Sequence, residues 1–192
     1  MKKRNAAGAL LFAFALFFVM NMTGQSLAYY TVTGTATNVV TSGNIQLAIH
    51  EQTEDGKPFP EEGVEVKVGE KVDKKVTVEN ICTQPFYLRI KLVNGIEDSN
   101  LSTMGVFDVD LNTADWTQRA DGYIYYNEIL QPGQTTSAAF TQVELVKGRV
   151  STAYEGKVLT LTVTAEAVQS KNNPADHPWE ASGWPEAEGG QV

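Results

Sequence analysis

From Asn44 to Ser170 apolar residues return at every second position, and no stretch after residue 28 has the three-to-four-residue spacing of an amphipathic helix. Successive side chains of a strand point to opposite faces, so this spacing predicts strands with one face buried. The clearest case sets Phe86, Leu88, Ile90 and Leu92 against Tyr87, Arg89 and Lys91, whose face is expected to be basic and solvated. Ile45, Leu47 and Ile49 alternate in the same way, as do Val64, Val66 and Val68, and Val72, Val76 and Val78 share a face with Lys74. Further strands are expected over 106–111, 122–130, 135–145 and 156–168, the last with Leu159, Leu161, Val163, Ala165 and Ala167 on one side and mostly Thr on the other. Turn residues separate the segments at Asp55-Gly56, Gly69, Asn94-Gly95, Asp121-Gly122, Pro132-Gly133 and Lys147-Gly148. Eight or so short strands at this spacing predict an all-β fold: a two-sheet antiparallel β-sandwich, with a closed barrel as the alternative.

Such a sandwich has to stand on packing. Cys82 is the one cysteine in 192 residues, so no disulfide can staple the chain to itself. Beside Ile81 it reads as a small buried hydrophobe. As a nucleophile it would need a basic partner, and the sequence offers only His50 and His177.

The first 28 residues follow a different logic. Lys2, Lys3 and Arg4 precede an apolar run from Ala9 to Met20, and Ser26-Leu27-Ala28 ends in the small residues a signal peptidase reads. Cleavage is predicted between Ala28 and Tyr29, which divides the chain into a signal peptide (1–28), a sandwich domain (29–169) and an irregular tail (170–192) rich in Pro and Gly. Trp179 and Trp184 in that tail are placed either to tack it to the sandwich or to stand exposed as anchors. The apolar run is shorter than the roughly 20 residues that span a bilayer. Tyr29, not a cysteine, stands directly after the cleavage site, so no lipid is accepted there and no membrane partner is expected for the mature form. Loss of three positive charges and no acidic ones takes the net charge from −8 to −11, which argues against nucleic acid as a partner.

Catalytic patterns begin in this sequence and do not complete. His50-Glu51 opens like the zinc-protease motif H-E-x-x-H, but Glu54 stands where the second His belongs, and the segment ends a strand. His50 is therefore expected at a strand end, facing solvent. Asp108, Asp110, Asn112 and Asp115 resemble part of a calcium loop, yet Thr113 replaces its glycine and Arg119 its final glutamate. No nucleophile elbow or phosphate-binding glycine loop is present. The expectation is a non-enzymatic protein with no catalytic residue, no cofactor and no metal site.

The most informative feature is an absence: the 21 residues from Tyr29 to Ile49 carry no charged side chain, in a domain otherwise dense with Glu, Asp and Lys. Proteins normally guard exposed strand edges with Lys, Glu or Pro, and Tyr29–Thr37 has none. Two readings stand: an ordinary first strand at a sheet edge, or a donor strand, with Tyr29, Tyr30, Thr31, Val32, Thr33 and Gly34 as the polymerisation residues, that pairs with another molecule's sheet. A domain of net charge −11 repels its copies over a Debye length of roughly 8 Å, so assembly would need a short-range directional contact and would strengthen with salt.

Several blocks occur in an order that resembles one family. The signal and its cleavage site precede Tyr29-Tyr30, then Ala36-Thr37-Asn38 and Ser42-Gly43-Asn44-Ile45-Gln46-Leu47. Val68-Gly69-Glu70-Lys71-Val72 leads into Lys75-Val76-Thr77-Val78-Glu79-Asn80 and Tyr87-Leu88-Arg89-Ile90-Lys91, with Val68-Gly69-Glu70 where Pro-Gly-Asp is common. Trp116, Asp121-Gly122-Tyr123-Ile124-Tyr125-Tyr126-Asn127 and Leu130-Gln131-Pro132-Gly133-Gln134-Thr135-Thr136 form the third block. Together they resemble the TasA/camelysin family of exported Gram-positive proteins with a SipW-dependent-type signal peptide. The resemblance implies a jelly-roll-like sandwich and a structural component of biofilm matrix fibres, secreted to the extracellular matrix or cell surface. Its implied partners are a dedicated signal peptidase and either copies of itself, as a homopolymer, or related matrix proteins. Camelysin-type members imply a cell-surface metallopeptidase as one alternative, and Tyr123, Tyr125 and Tyr126 suggest a monomeric surface adhesin as another. Intact-mass measurement on secreted protein should give a chain that begins at Tyr29; a product that retains the apolar run would contradict the export reading.

Overall fold

The computed structural model describes residues 30–38, 45–98 and 100–185. Ten strands form among them: β1 (Tyr30–Asn38), β2 (Leu47–Gln52), β3 (Val64–Val66), β4 (Lys71–Asn80), β5 (Phe86–Ile96), β6 (Phe107–Val109), β7 (Trp116–Gln118), β8 (Ile124–Tyr126), β9 (Phe140–Leu145) and β10 (Val158–Gln169). A six-stranded sheet ordered β3-β1-β10-β5-β8-β7 packs on a four-stranded sheet ordered β2-β4-β9-β6. The fold is the expected all-β sandwich. Single 3-10 turns at Thr152–Tyr154 and Pro178–Glu180 are the helical elements among the described residues, and no helix there is long and apolar enough to cross a membrane.

Alternation becomes a core where the two inner faces meet. Leu159, Leu161, Val163, Ala165 and Ala167 of β10 are at most 1% exposed, and the last four pack in one cluster with Phe86, Leu88 and Ile90 of β5 and with Val76, Val78, Phe140 and Val143 of the facing sheet. A second cluster closes one end of the sandwich, built from Tyr30, Val32, Val66, Val106, Leu145, Tyr154 and Leu159. Each fully buried Val, Leu or Phe contributes roughly 1.5–3 kcal/mol, and a chain with no disulfide depends on that sum.

Three sequence expectations need correction. The sheets are not wholly antiparallel, because β1 runs parallel to β10, with Val32 beside Leu159 and Asn38 beside Ala165. A parallel pair cannot be closed by a hairpin, and here the rest of the domain forms the connection between the first strand and the last. Asn94-Gly95 is no turn, since β5 runs through it to Ile96; Gly95 sits opposite Thr160, where a Cβ would meet the threonine hydroxyl. The expected strands over 122–130 and 135–145 shrink to Ile124–Tyr126 and Phe140–Leu145, because Leu130 and Thr135 pair singly with Phe86 and Glu79.

The outer face of β5 also departs from expectation. Tyr87 and Arg89 are buried beneath the tail, which folds back over the six-stranded sheet. Arg89 bonds Glu166 Oε2 through Nε (2.7 Å) and Nη2 (2.6 Å), and its Nη2 also donates to the Pro185 carbonyl at 2.8 Å. Its guanidinium lies 3.6 Å from the centre of the Tyr123 ring and 4.7 Å from that of Trp184. Burial opposes the charge on Arg89, but the contacts with Tyr125 and Glu166 outweigh it and raise the pKa. The tail's two tryptophans therefore tack it down, edge-on against Tyr125. Glu166→Ala strands a buried guanidinium and should cost roughly 3–5 kcal/mol in urea unfolding. Glu79→Ala, at the half-exposed His50–Glu79 pair, should stay within about 1 kcal/mol, and equal effects would contradict this assignment.

Candidate assembly site

Val32 (1% exposed) and Tyr30 (3% exposed) enter the end cluster beside Val66 and Leu159. The expected polymerisation strand is thus seated in its own sandwich, between β10 on one side and β3 on the other, and is not an edge strand. The two sides hold it unequally. Against β10 the ladder runs eight residue pairs, Thr31–Val158 to Asn38–Ala165, whereas β3 pairs only with Tyr30, Thr31 and Val32. Gly63, with φ +85°, brings the chain onto this strand: a Cβ there would lie 2.6 Å from the Val32 carbonyl oxygen and 2.6 Å from Thr33 Cγ2. Any other residue would push β3 away from β1.

The surroundings are acidic where the strand is neutral. Glu65 stands opposite Thr31, and a cavity of about 460 Å³ beside β3 is lined by Glu54, Asp55, Glu65, Glu70 and Asp73, with Lys71 as its cation. Burial, and then Glu155, raise the pKa of the Tyr30 hydroxyl. Of the residues assigned from sequence, Tyr30, Thr31, Val32, Thr33 and Gly34 lie in β1, while Ala28 and Tyr29 lie outside the described residues.

The residues weighed for chemistry are engaged elsewhere. His50 lies within β2 rather than at its end, and its Nε2 is 2.9 Å from Glu79 Oε2. Glu51 points to the other face, where Lys74 Nζ lies 2.7 Å from its Oε2. Asp110 accepts from Thr141 N, Thr141 Oγ1 and Gln142 N; its burial pushes the pKa up, and these bonds bring it below the usual range. Asp115 accepts from Asn112 Nδ2. No group of three His, Cys, Asp or Glu is placed to hold a metal among the described residues. Cys82 is half-buried against the core, its thiol donating to Asn80 Oδ1 and the Gln84 carbonyl. Of the three aromatic residues of the adhesin alternative, Tyr123 and Tyr125 are buried under the tail and Tyr126 is half-buried against the core beside Trp116. Burial raises both phenol pKa values.

Sequence reasoning missed the strand β7 and the burial of Arg89 and Glu166. It placed Lys74 on the valine face without finding its partner. Comparison with family models, curated proteins and solved structures finds no match to this chain.

Seating predicts a graded response along β1. Val32→Ala should cost about 1.5–3 kcal/mol in urea unfolding of the unassembled protein, from lost burial and the cavity left behind. Thr31→Ala, on the outward face, should stay within about 0.5 kcal/mol. Equal effects would show that β1 is not seated as described.

Proposed function

We propose that this chain is an exported structural subunit of a Gram-positive extracellular matrix, of the TasA/camelysin type, that forms fibres by passing β1 of one copy into the next. The observation that carries the reading is the uneven seating of β1: a charge-free strand, held by a long ladder to β10 and, among the described residues, paired on its other edge over three residues. Once β1 leaves, the place between β3 and β10 accepts the same strand from a second copy, with Tyr30 and Val32 entering equivalent surroundings. Strand and slot are different surfaces of one molecule, so repeated exchange runs head to tail and yields a filament rather than a closed dimer. The partner is another copy or a related matrix protein with an equivalent strand. Cleavage after Ala28 frees the strand only outside the membrane.

The chain's passage from one sheet to the other at nearly every connection supports a jelly-roll-like class for the sandwich. The reading requires no catalytic residue, metal or cofactor, and we assign none.

A lock tests it. Thr31 and Glu65 are cross-strand partners on the outer face, so Thr31→Cys/Glu65→Cys in a Cys82→Ser background should close a disulfide that holds β1 in its own slot. The oxidised protein should stay monomeric in salt that drives the reduced protein into fibres visible by electron microscopy. Fibres of normal length from the fully oxidised protein would rule out strand exchange.

A further inference from the structure

Lys74 is wholly enclosed, and its ion-pair partner is Glu51. The lysine is 0% exposed, with Nζ 2.7 Å from Glu51 Oε2 and 4.3 Å from the centre of the Phe59 ring. The Glu51 side chain is 10% exposed, yet its Oε1 is shielded from solvent. Neither Lys74 Nζ nor Glu51 Oε1 has a hydrogen-bond partner, and the contact with Oε2 lacks the alignment of one. Buried ion pairs are ordinarily sustained by donors and acceptors that match. The Arg89–Glu166 pair shows the contrast, because its guanidinium bonds Glu166, Tyr125 and the Pro185 carbonyl.

These surroundings favour chemistry between the two groups. Burial disfavours the ammonium and pulls the Lys74 pKa down, with Glu51 opposing that in part. A lysine amine that has lost its charge in an apolar pocket is a nucleophile. The backbone holds its target against it: Glu51 pairs with Val76 in the β2–β4 ladder, and Phe59 N donates to the Glu51 carbonyl. Reacting groups fixed in this way behave as one molecule, with effective concentrations of about 10⁵–10⁸ M in well-oriented cases.

We propose that Lys74 and Glu51 are the two halves of an intramolecular amide cross-link, a covalent staple between β4 and β2 in a chain that has no disulfide. A proton passes from Lys74 Nζ to the Glu51 carboxylate, which leaves a neutral amine against a neutral acid. The Nζ lone pair attacks Cδ and forms the C–N bond. One Cδ–O bond breaks, and that oxygen departs as water with the transferred proton and a second one from Nζ. Nothing is oxidised or reduced, and the partly exposed side of Glu51 gives the water its way out. Two under-bonded interior charges become one neutral amide. The staple closes the loop 51–74, which carries β3 across to the other sheet and back, and it stabilises the fold as a disulfide across that loop would. It makes no bond to β1 and is independent of strand exchange.

Mass spectrometry of the purified, folded protein after denaturation tests this. The chain should be lighter than its sequence by one water molecule. Tryptic digestion should leave the bond after Lys74 uncut and yield a branched peptide that joins Glu51 to Lys74. Glu51→Ala and Lys74→Arg should each restore the full mass. A folded parent protein of full mass would overturn the proposal. So would a water loss that peptide mapping places at Asp55-Gly56 or Asp121-Gly122, where ring closure by the backbone releases the same molecule. A water loss that persists in Glu51→Ala would overturn it as well. The mass and the peptide map of the parent decide the matter even where a variant fails to fold.

Discussion

Every layer of this structure meets at β10. Its inner face supplies Leu159, Leu161, Val163, Ala165 and Ala167 to the core, and its edges pair with β5 along eleven residues and with β1 along eight. Its outer face carries Glu166, the counter-ion of the buried Arg89. The antiparallel edge and the tail fix the strand from two sides, and the parallel ladder is the attachment left to vary. With no disulfide to hold the sandwich, the seating of β1 rests on main-chain hydrogen bonds and on Tyr30 and Val32. Contacts of that kind are the ones that the proposed strand exchange would re-form between copies.

In the assembly we propose, charge decides when they do so. After the proposed export, a domain of net charge near −11 would keep its copies apart beyond roughly 8 Å at physiological salt, and a neutral strand would cross that field without repulsion. The acidic lining beside β3 would keep the rest of that edge unattractive to other copies. In that proposal self-recognition comes from backbone pairing, with the local charges acting against other modes of contact.

The parts of the fold visible in the sequence were those set by local pattern. Period two in 159–167 and 86–92 located the two central strands and their inner faces, because burial of one face of a strand imposes that spacing. The charge-free run marked β1. What remained hidden depends on long-range partners that local pattern does not encode: the parallel pairing of the first strand with the last, and the tail that turns an apparently solvated Arg89 into a buried one. Asn94-Gly95 misled because the dipeptide favours turns, whereas the approach of Thr160 calls for a glycine inside a strand. Lys74 was legible in part: a lysine in phase with Val72, Val76 and Val78 calls for a buried acid, but that Glu51 supplies it depends on the pairing of β2 with β4.

The central claim is that β1 of one subunit occupies the slot of the next. Its most direct test mixes two single-cysteine variants, Thr31→Cys and Glu65→Cys, each in a Cys82→Ser background, and oxidises the fibres they form together. Strand exchange places residue 31 of one chain beside residue 65 of its neighbour, so mass spectrometry should find disulfide-linked pairs that join one chain of each kind. Mixed fibres of normal morphology that yield no 31–65 cross-link would contradict the account.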